Sequence, residues 1–250
     1  MMNQTPQTPT TDSTTETTTK KRILNIGCGL HKILGAVNVD SQASVNPDCL
    51  FDLESCGIMR PIYILAPGDN PLGPAKEVEI GREPYQLPFP DNEFDVVLAS
   101  HVLEHIKNIL PLMQELHRVA KPGARMHIRV PYGSHSIAFE DPTHVRQFFP
   151  KSFEYFGQMA YNAADYGYRG DWEIEQINLA VDDQFQGMPA DEIAFMIERA
   201  FNIVKEMFVT LMAVKPIRKA DGIPRTLEIR FEFESSIHKQ MMEAANASKH

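Results

Sequence analysis

The chain has 250 residues, of which 33 are acidic and 24 basic, giving a formal charge of −9. With 43% hydrophobic and 23% charged residues it has material for a sizeable core, which excludes a wholly disordered protein. The acidic balance argues against a general nucleic-acid binder, and three irregularly spaced cysteines (Cys28, Cys49, Cys56) argue against a disulfide scaffold. A reduced, cytoplasmic setting is expected.

Residues 1–19 hold nine threonines and no Leu, Ile, Val or aromatic residue. Such a segment cannot offset its conformational entropy by burial and is predicted to be a disordered tail. It also lacks the basic start and apolar run of a signal peptide. Order is expected from Lys20 onward, as one domain over 20–250.

Short apolar runs then alternate with helical patterns. Ile23–Ile26, Ala36–Val39, Cys49–Phe51, Asp95–Ala99 and Met126–Val130 read as buried strands bounded by turn residues. Residues 54–85, with five prolines and four glycines, read as a long loop or insertion. Leu103–Ala120 carries Ile106, Ile109, Leu110, Met113, Leu116 and Val119 at helical spacing and stops at Lys121-Pro122-Gly123. Residues 133–190 are read as substrate-side loops or a lid. Pro189–Ala200 reads as a helix, and 201–214 as helix, strand or one of each. The run 193–214 is broken by Glu198, Arg199, Lys205 and Glu206, so no membrane span is expected. Thr226–Glu234 alternates strictly and is predicted to be an amphipathic antiparallel strand. The order implies an α/β fold: a Rossmann-like, mostly parallel twisted sheet with helices on both faces and an antiparallel C-terminal strand.

Chemistry begins at Leu24-Asn25-Ile26-Gly27-Cys28-Gly29. A strand entering Gly-x-Gly lets backbone approach a ligand, because no Cβ intervenes. The second strand ends at Asp40, whose carboxylate can accept both hydroxyls of a ribose. A dinucleotide fingerprint needs a third glycine, a helix and an acidic residue roughly 20 positions on. Here Asp40 follows Gly29 by 11 positions and the third glycine is missing. The crossover has room for a nearly extended chain, with at most a helical turn near Leu30–Leu34. Without a helix N-terminus a pyrophosphate loses its anchor, so an adenosine-bearing ligand without phosphates fits better than NAD.

The runs LNIGCG, GAVNVD, FDLE, LPFPDNEFDVVLASHVLEHI, ELHRVAKPGARMHIRVPY and DPTHVRQFF together resemble class I S-adenosylmethionine-dependent methyltransferases. The resemblance covers about residues 22–156, and faintly 202–216. It looks closest to a bacterial and phage-type branch with a short first crossover, some of whose members are associated with glycan pathways. It implies S-adenosylmethionine as cofactor and no required metal. It places Gly27, Cys28 and Gly29 against the methionine part and ribose, and Asp40 on the ribose hydroxyls. Asp52 and Leu53 would lie by the adenine, and Ser100 and His101 on the sulfonium side. The long 54–85 segment and Ala124, where a second glycine is common, depart from the pattern. Asp52 can equally cap a turn.

Two histidine groups carry further expectations. His101-Val102-Leu103-Glu104-His105 spells H-x-x-E-H, a zinc motif if it lies within a helix. A zinc metallopeptidase is therefore a rival reading. The motif starts at a strand's end, however, and a His101 facing the cofactor or substrate is simpler. In Asp141-Pro142-Thr143-His144-Val145-Arg146, His144 is the candidate general base, with His101 as a second catalytic candidate. Asp141, Arg146 and Tyr132 are candidate substrate contacts, Arg146 through an anionic group. The tyrosines at 155, 161, 166 and 168, with Trp172, form either a pocket wall or a packed satellite. Arg218, Lys219 and Arg225 read as a solvated turn.

These residues predict a methyltransferase acting on an oxygen or nitrogen of a small-molecule or glycan acceptor, with no membrane insertion. A non-catalytic scaffold that binds the cofactor is the other alternative. Most of the negative charge falls outside the motifs. The tail holds Asp12 and Glu16, and segment 165–199 has nine acids against Arg169 and Arg199.

Overall fold

A computed structural model describes residues 21–63, 79–158, 161, 166–220 and 227–237, with side chains from 59 to 83 left aside. The first three strands are β1 (Ile23–Ile26), β2 (Val37–Asp40) and β3 (Cys49–Leu50). An antiparallel ribbon of β4 (Met59–Tyr63) and β5 (Glu79–Pro84) follows, so the segment expected as loop contains paired strands. Then come β6 (Phe94–Ser100), α1 (Ile109–Val119), β7 (Ala120–Pro131) and the short α2 (Ile137–Glu140). β8 (Trp172–Val181), α3 (Ala190–Ile197), β9 (Val204–Ala213) and β10 (Ile229–Phe233) complete the order.

Eight strands form one sheet in the order β10-β8-β9-β7-β6-β1-β2-β3. From β3 to β7 all neighbours are parallel, and β9 runs antiparallel to both β7 and β8. The expected mostly parallel Rossmann-like sheet is present, with its antiparallel strand at 204–213. Segment 226–234 was expected to be the antiparallel strand; β10 instead pairs parallel with β8. Alternation reports a two-faced strand, not its direction, and Ile229 and Phe231 stay partly exposed at this edge.

One sheet face forms the core. Leu24 and Ile26, Val97 and Ala99, Met126, Ile128 and Val130, and Val209 and Leu211 are all buried there. α1 adds Ile109, Leu112, Met113, Leu116 and Val119, and each such side chain contributes about 1.5–3 kcal/mol on burial. α1 begins six residues later than the spacing suggests, because Leu103–His105 is a 3-10 turn. The Glu54 carboxylate then accepts the Lys107 and Asn108 N–H groups at 2.6 and 3.1 Å, satisfying donors ahead of the helix. At its far end the chain passes directly from Val119 into β7, so Lys121-Pro122-Gly123 lies inside an extended strand.

β8 had no clear sequence signal, since Glu173, Glu175, Gln176 and Asn178 interrupt its apolar residues. Trp172 anchors it, donating from Nε1 to the Met113 carbonyl at 3.0 Å and meeting His117 edge-on at 5.6 Å. Tyr161 and Tyr168 pack at 5.6 Å, and their hydroxyls donate to the carbonyls of Tyr155 and Phe156. Tyr161, Tyr168 and Trp172 are part of the main core, whereas Tyr155 and Tyr166 stay exposed. Arg218 is no solvated turn: its guanidinium donates at 2.8 and 2.9 Å to Asp171, whose surface is fully buried. No helix among the described residues is long and apolar enough to cross a membrane. The predicted tail, 1–19, lies outside the described residues.

Candidate functional site

The strand order reverses between β1 and β6, and ligands of open α/β sheets bind outside the carboxyl ends of strands at such a point. Here β1 ends in Gly27-Cys28-Gly29 and β6 ends at Ser100, followed by His101. All five residues line one cleft of about 760 Å³. Its floor is the sheet face opposite the core, carrying Asn25, His127, Arg129, Phe208 and Thr210.

The glycine turn is set by backbone geometry. Gly27 and Gly29 have φ of +58° and +47°, a region costly for residues with a Cβ. At Gly27 a Cβ would stand 2.4 Å from Cγ2 of Val102, so the turn is pressed against the loop after β6. At Gly29 no atom lies within 4 Å of that position, which leaves open space at the cleft rim. The Asp40 carboxylate accepts the Gly29 N–H at 2.8 Å through Oδ2 and the Gln42 N–H at 2.9 Å through Oδ1. Each carboxylate oxygen retains acceptor capacity beyond these bonds.

The crossover from Gly29 to Ala36 contains no helix, and the turn considered at Leu30–Leu34 does not form. Two buried asparagines replace the missing helical bonds. Asn38 Oδ1 accepts from Asn25 Nδ2 and the Ile33 N–H, both at 2.9 Å. Its Nδ2 donates to the Ile33 and Ala36 carbonyls and to Asp48. Leu30 and Leu34 are left exposed on the crossover.

His101 has φ +51° and lies before the 3-10 turn, so H-x-x-E-H is not within a helix and His101 and His105 do not share a helical face. Its Nδ1 is 3.2 Å from Glu104 Oε1, and its Nε2 is 3.1 Å from Glu206 Oε1. These bonds raise the imidazole to about 9 against its burial. A ring that donates from both nitrogens is held in its protonated form, and His101, the second catalytic candidate, lines the cleft in that state. Arg129 donates Nε and Nη2 to Glu206 Oε2 at 2.9 and 2.7 Å. Burial pushes Glu206 up, but hydrogen bonds from His101 and Arg129 outweigh this and hold it below its ordinary value. Arg129, Glu206, His101 and Glu104 thus form one alternating chain of charges along the cleft wall.

Of the other predicted residues, Cys28 lines the cleft, whereas Asp52, Leu53, Tyr132, Asp141, Arg146 and His144 are not part of its lining. Cys28 is buried, and burial followed by the nearby Asp40 charge pushes its thiol up, so it contributes backbone and packing rather than a nucleophile. Asp52 caps the 3-10 turn at Leu53–Ser55, accepting the Glu54 N–H at 3.0 Å, and the Leu53 side chain is buried in the core. Tyr132 is packed 5.4 Å from Phe149, edge to face, and burial raises its phenol. Asp141 shapes its own loop by accepting from the Thr143 N–H and hydroxyl. Arg146 donates from Nε and Nη2 to the carbonyls of Ile106 and Lys107 at 3.1 and 2.8 Å, which ties its guanidinium to the segment ahead of α1. His144 is not among the cleft-lining residues but meets His105 ring to ring at 4.7 Å, beside the Glu104 carboxylate that binds the cleft-lining His101.

Arg129, Glu206, His127 and Thr210 were not identified from the sequence. The alternation Arg125, His127, Arg129 marks a polar strand face, but it does not reveal that β9 pairs with that strand and supplies Glu206 and Thr210.

Residues 72–128 match the methyltransferase domain family. An uncharacterized methyltransferase of Schizosaccharomyces pombe is 30% identical over 131 residues, 48% of this chain and 43% of that protein. A 2-phytyl-1,4-naphtoquinone methyltransferase of Nostoc punctiforme is 50% identical over 42 residues, 17% of this chain and 18% of that protein. The chain therefore spans less than half the length of these curated relatives. A solved methyltransferase of Archaeoglobus fulgidus is 15% identical with a TM-score of 0.46, covering 77% of this chain and 86% of that one. Residues 72–128 are thus similar to a methyltransferase domain, and the glycine turn lies at the switch point of the parallel part of the sheet.

Proposed function

We propose that the protein transfers a methyl group from S-adenosylmethionine to an oxygen or nitrogen of a small-molecule or glycan acceptor in the cytoplasm. One observation carries this reading: Gly27-Cys28-Gly29 and Ser100-His101 line the same cleft, at the switch point, with Asp40 bonded to the glycine turn. The residues fit the cofactor, since the space beside Gly29 is open and Asp40 keeps acceptor capacity for ribose hydroxyls. Within this reading 20–250 acts as one domain; the range 133–190, read as substrate-side loops, instead contains the sheet strand β8.

When bound, S-adenosylmethionine supplies an electrophilic methyl on a sulfonium and leaves as S-adenosylhomocysteine. The protein's task is alignment. Gly29 admits the ligand at the turn, and Asp40 orients the ribose. Arg129 uses Nε and Nη2 on Glu206 and keeps Nη1 for an anionic group such as the amino-acid carboxylate. The His101–Glu206–Arg129 chain fixes the wall against which an acceptor is held. In-line attack gains chiefly from such positioning.

The test is a screen for labelled methyl transfer from S-adenosylmethionine into small molecules, glycans and proteins of the source cell. Label should enter an O- or N-methyl product, and the Asp40→Ala variant should fail to form it. Transfer undiminished in that variant would refute the site.

A further inference from the structure

His105 and His144 are not absorbed by the cofactor cleft, and they stand beside a carboxylate with an unsatisfied oxygen. Glu104 is 1% exposed, and its Oε2 has no hydrogen-bond partner, while Oε1 is held by His101. A buried carboxylate oxygen left without a donor is costly, and such an atom calls for an explanation. Glu104, His105 and His144 can each offer one ligand atom so that these atoms lie within 4.8 Å of one another.

The hydrogen bonds define the ring tautomers. Thr143 donates its single hydroxyl hydrogen to Asp141 Oδ1 at 2.6 Å. Its contact with His105 Nδ1 at 2.9 Å therefore has the ring donating and the hydroxyl accepting. His144 Nδ1 is 3.2 Å from the Ala138 carbonyl, which can only accept, so this ring also carries its hydrogen on Nδ1. With Nδ1 carrying the hydrogen, the nitrogen of each ring that can offer a lone pair to an ion is Nε2. A histidine that ligates a metal characteristically donates its other ring N–H to a carbonyl or similar oxygen, which fixes the ring and raises its basicity. Both rings show this arrangement in advance. Asp141 Oδ2, 3.9 Å from His144 Nε2, is a further carboxylate oxygen nearby.

We propose that Glu104, His105 and His144 bind a divalent transition-metal ion of the zinc class through one carboxylate oxygen and two imidazole nitrogens. Two imidazoles and a carboxylate suit zinc, cobalt or iron(II), whereas magnesium and calcium prefer oxygen sets. The site differs from the linear H-x-x-E-H motif. His101 remains with Glu104 Oε1 and Glu206, and the second imidazole comes from His144, 39 positions beyond His105. Because His101 lines the cleft and binds the same carboxylate, Glu104 would link the ion to the cleft wall. The proposal does not depend on methyl transfer.

The experiment titrates zinc chloride, and separately cobalt(II) chloride, into the chelator-treated full-length protein. We expect one saturable equivalent of each, with cobalt giving visible ligand-field bands and imidazole ligation. Glu104→Gln and His144→Ala should each weaken binding by at least about 100-fold, beyond the usual range for outer-shell partners, whereas His101→Asn should cost only about 10-fold. Thermal melts establish folding of each variant. His144→Gln, closer in volume, replaces His144→Ala should the latter not fold. Absence of saturable uptake in the wild type would overturn the assignment. So would unchanged affinity on replacing His144, or a dominant dependence on His101. S-adenosylhomocysteine binding, measured separately, reports on the cofactor cleft whatever the metal result.

Discussion

The glycine turn offers a test in which two chemically identical substitutions, two positions apart, should behave differently. Gly27→Ala places a methyl 2.4 Å from Cγ2 and 2.8 Å from Cβ of Val102, at φ +58°. The left-handed backbone costs an alanine about 1–2 kcal/mol, and overpacking against a buried side chain costs about 1–3 kcal/mol more. Gly29→Ala bears the backbone cost at φ +47° but meets no atom within 4 Å. Stiffening of the unfolded chain offsets about 0.4–1 kcal/mol in both variants and cancels from their difference. Gly27→Ala should therefore be less stable than Gly29→Ala by about 1–3 kcal/mol. Urea denaturation at a common m-value measures this directly. Trimming the obstructing side chain completes the test: Gly27→Ala with Val102→Ala should show a favourable coupling of about 0.5–3 kcal/mol. Equal costs at the two glycines, or strict additivity in the double variant, would refute the close contact between the turn and the loop after β6.

Arg218→Met strands the buried Asp171 carboxylate and should destabilise the fold by about 3–5 kcal/mol, with part of the loss recovered on adding Asp171→Asn, as urea midpoints would show. Burial lowers His117 to about 4 from an ordinary value near 6.5, so its neutral form is favoured in the folded state. The stability tied to this group is present above pH 6.5 and is lost as pH falls towards 4, amounting to about 3 kcal/mol. The stability difference between wild type and His117→Gln should shift by that amount between pH 7 and pH 4; a pH-independent difference would contradict a buried neutral ring. Asn38→Ala removes the acceptor shared by Asn25 and Ile33 and should cost about 1–3 kcal/mol, with faster amide exchange at Ile33.

The parallel half of the fold was legible because its strands are apolar on both neighbours' terms: Ile23–Ile26 and the run around Val97 have no charged interruption, and turn residues bound them. β8 and β9 were not legible in the same way. Glu173, Gln176 and Asn178 on one strand, and Lys205 and Glu206 on the other, occupy a polar sheet face that local pattern alone cannot distinguish from loop or helix. Half of the site shared that difficulty. Gly27, Gly29 and Ser100 follow from strand ends, whereas Glu206 reaches His101 across 105 positions through the β7–β9 pairing. The loop residues have intramolecular partners that their sequence does not reveal. Arg146 and Asp141 have the chemistry of substrate contacts, but the backbone carbonyls of Ile106 and Lys107, and the donors of Thr143, engage them first.

Calorimetry with S-adenosylhomocysteine probes the cofactor cleft built on the glycine turn and Asp40. The full-length protein should bind one equivalent at micromolar affinity or better, and Asp40→Ala should abolish the heat while leaving the circular dichroism of the fold intact. Absence of binding to the folded wild-type protein, or unchanged binding to folded Asp40→Ala, would contradict the account.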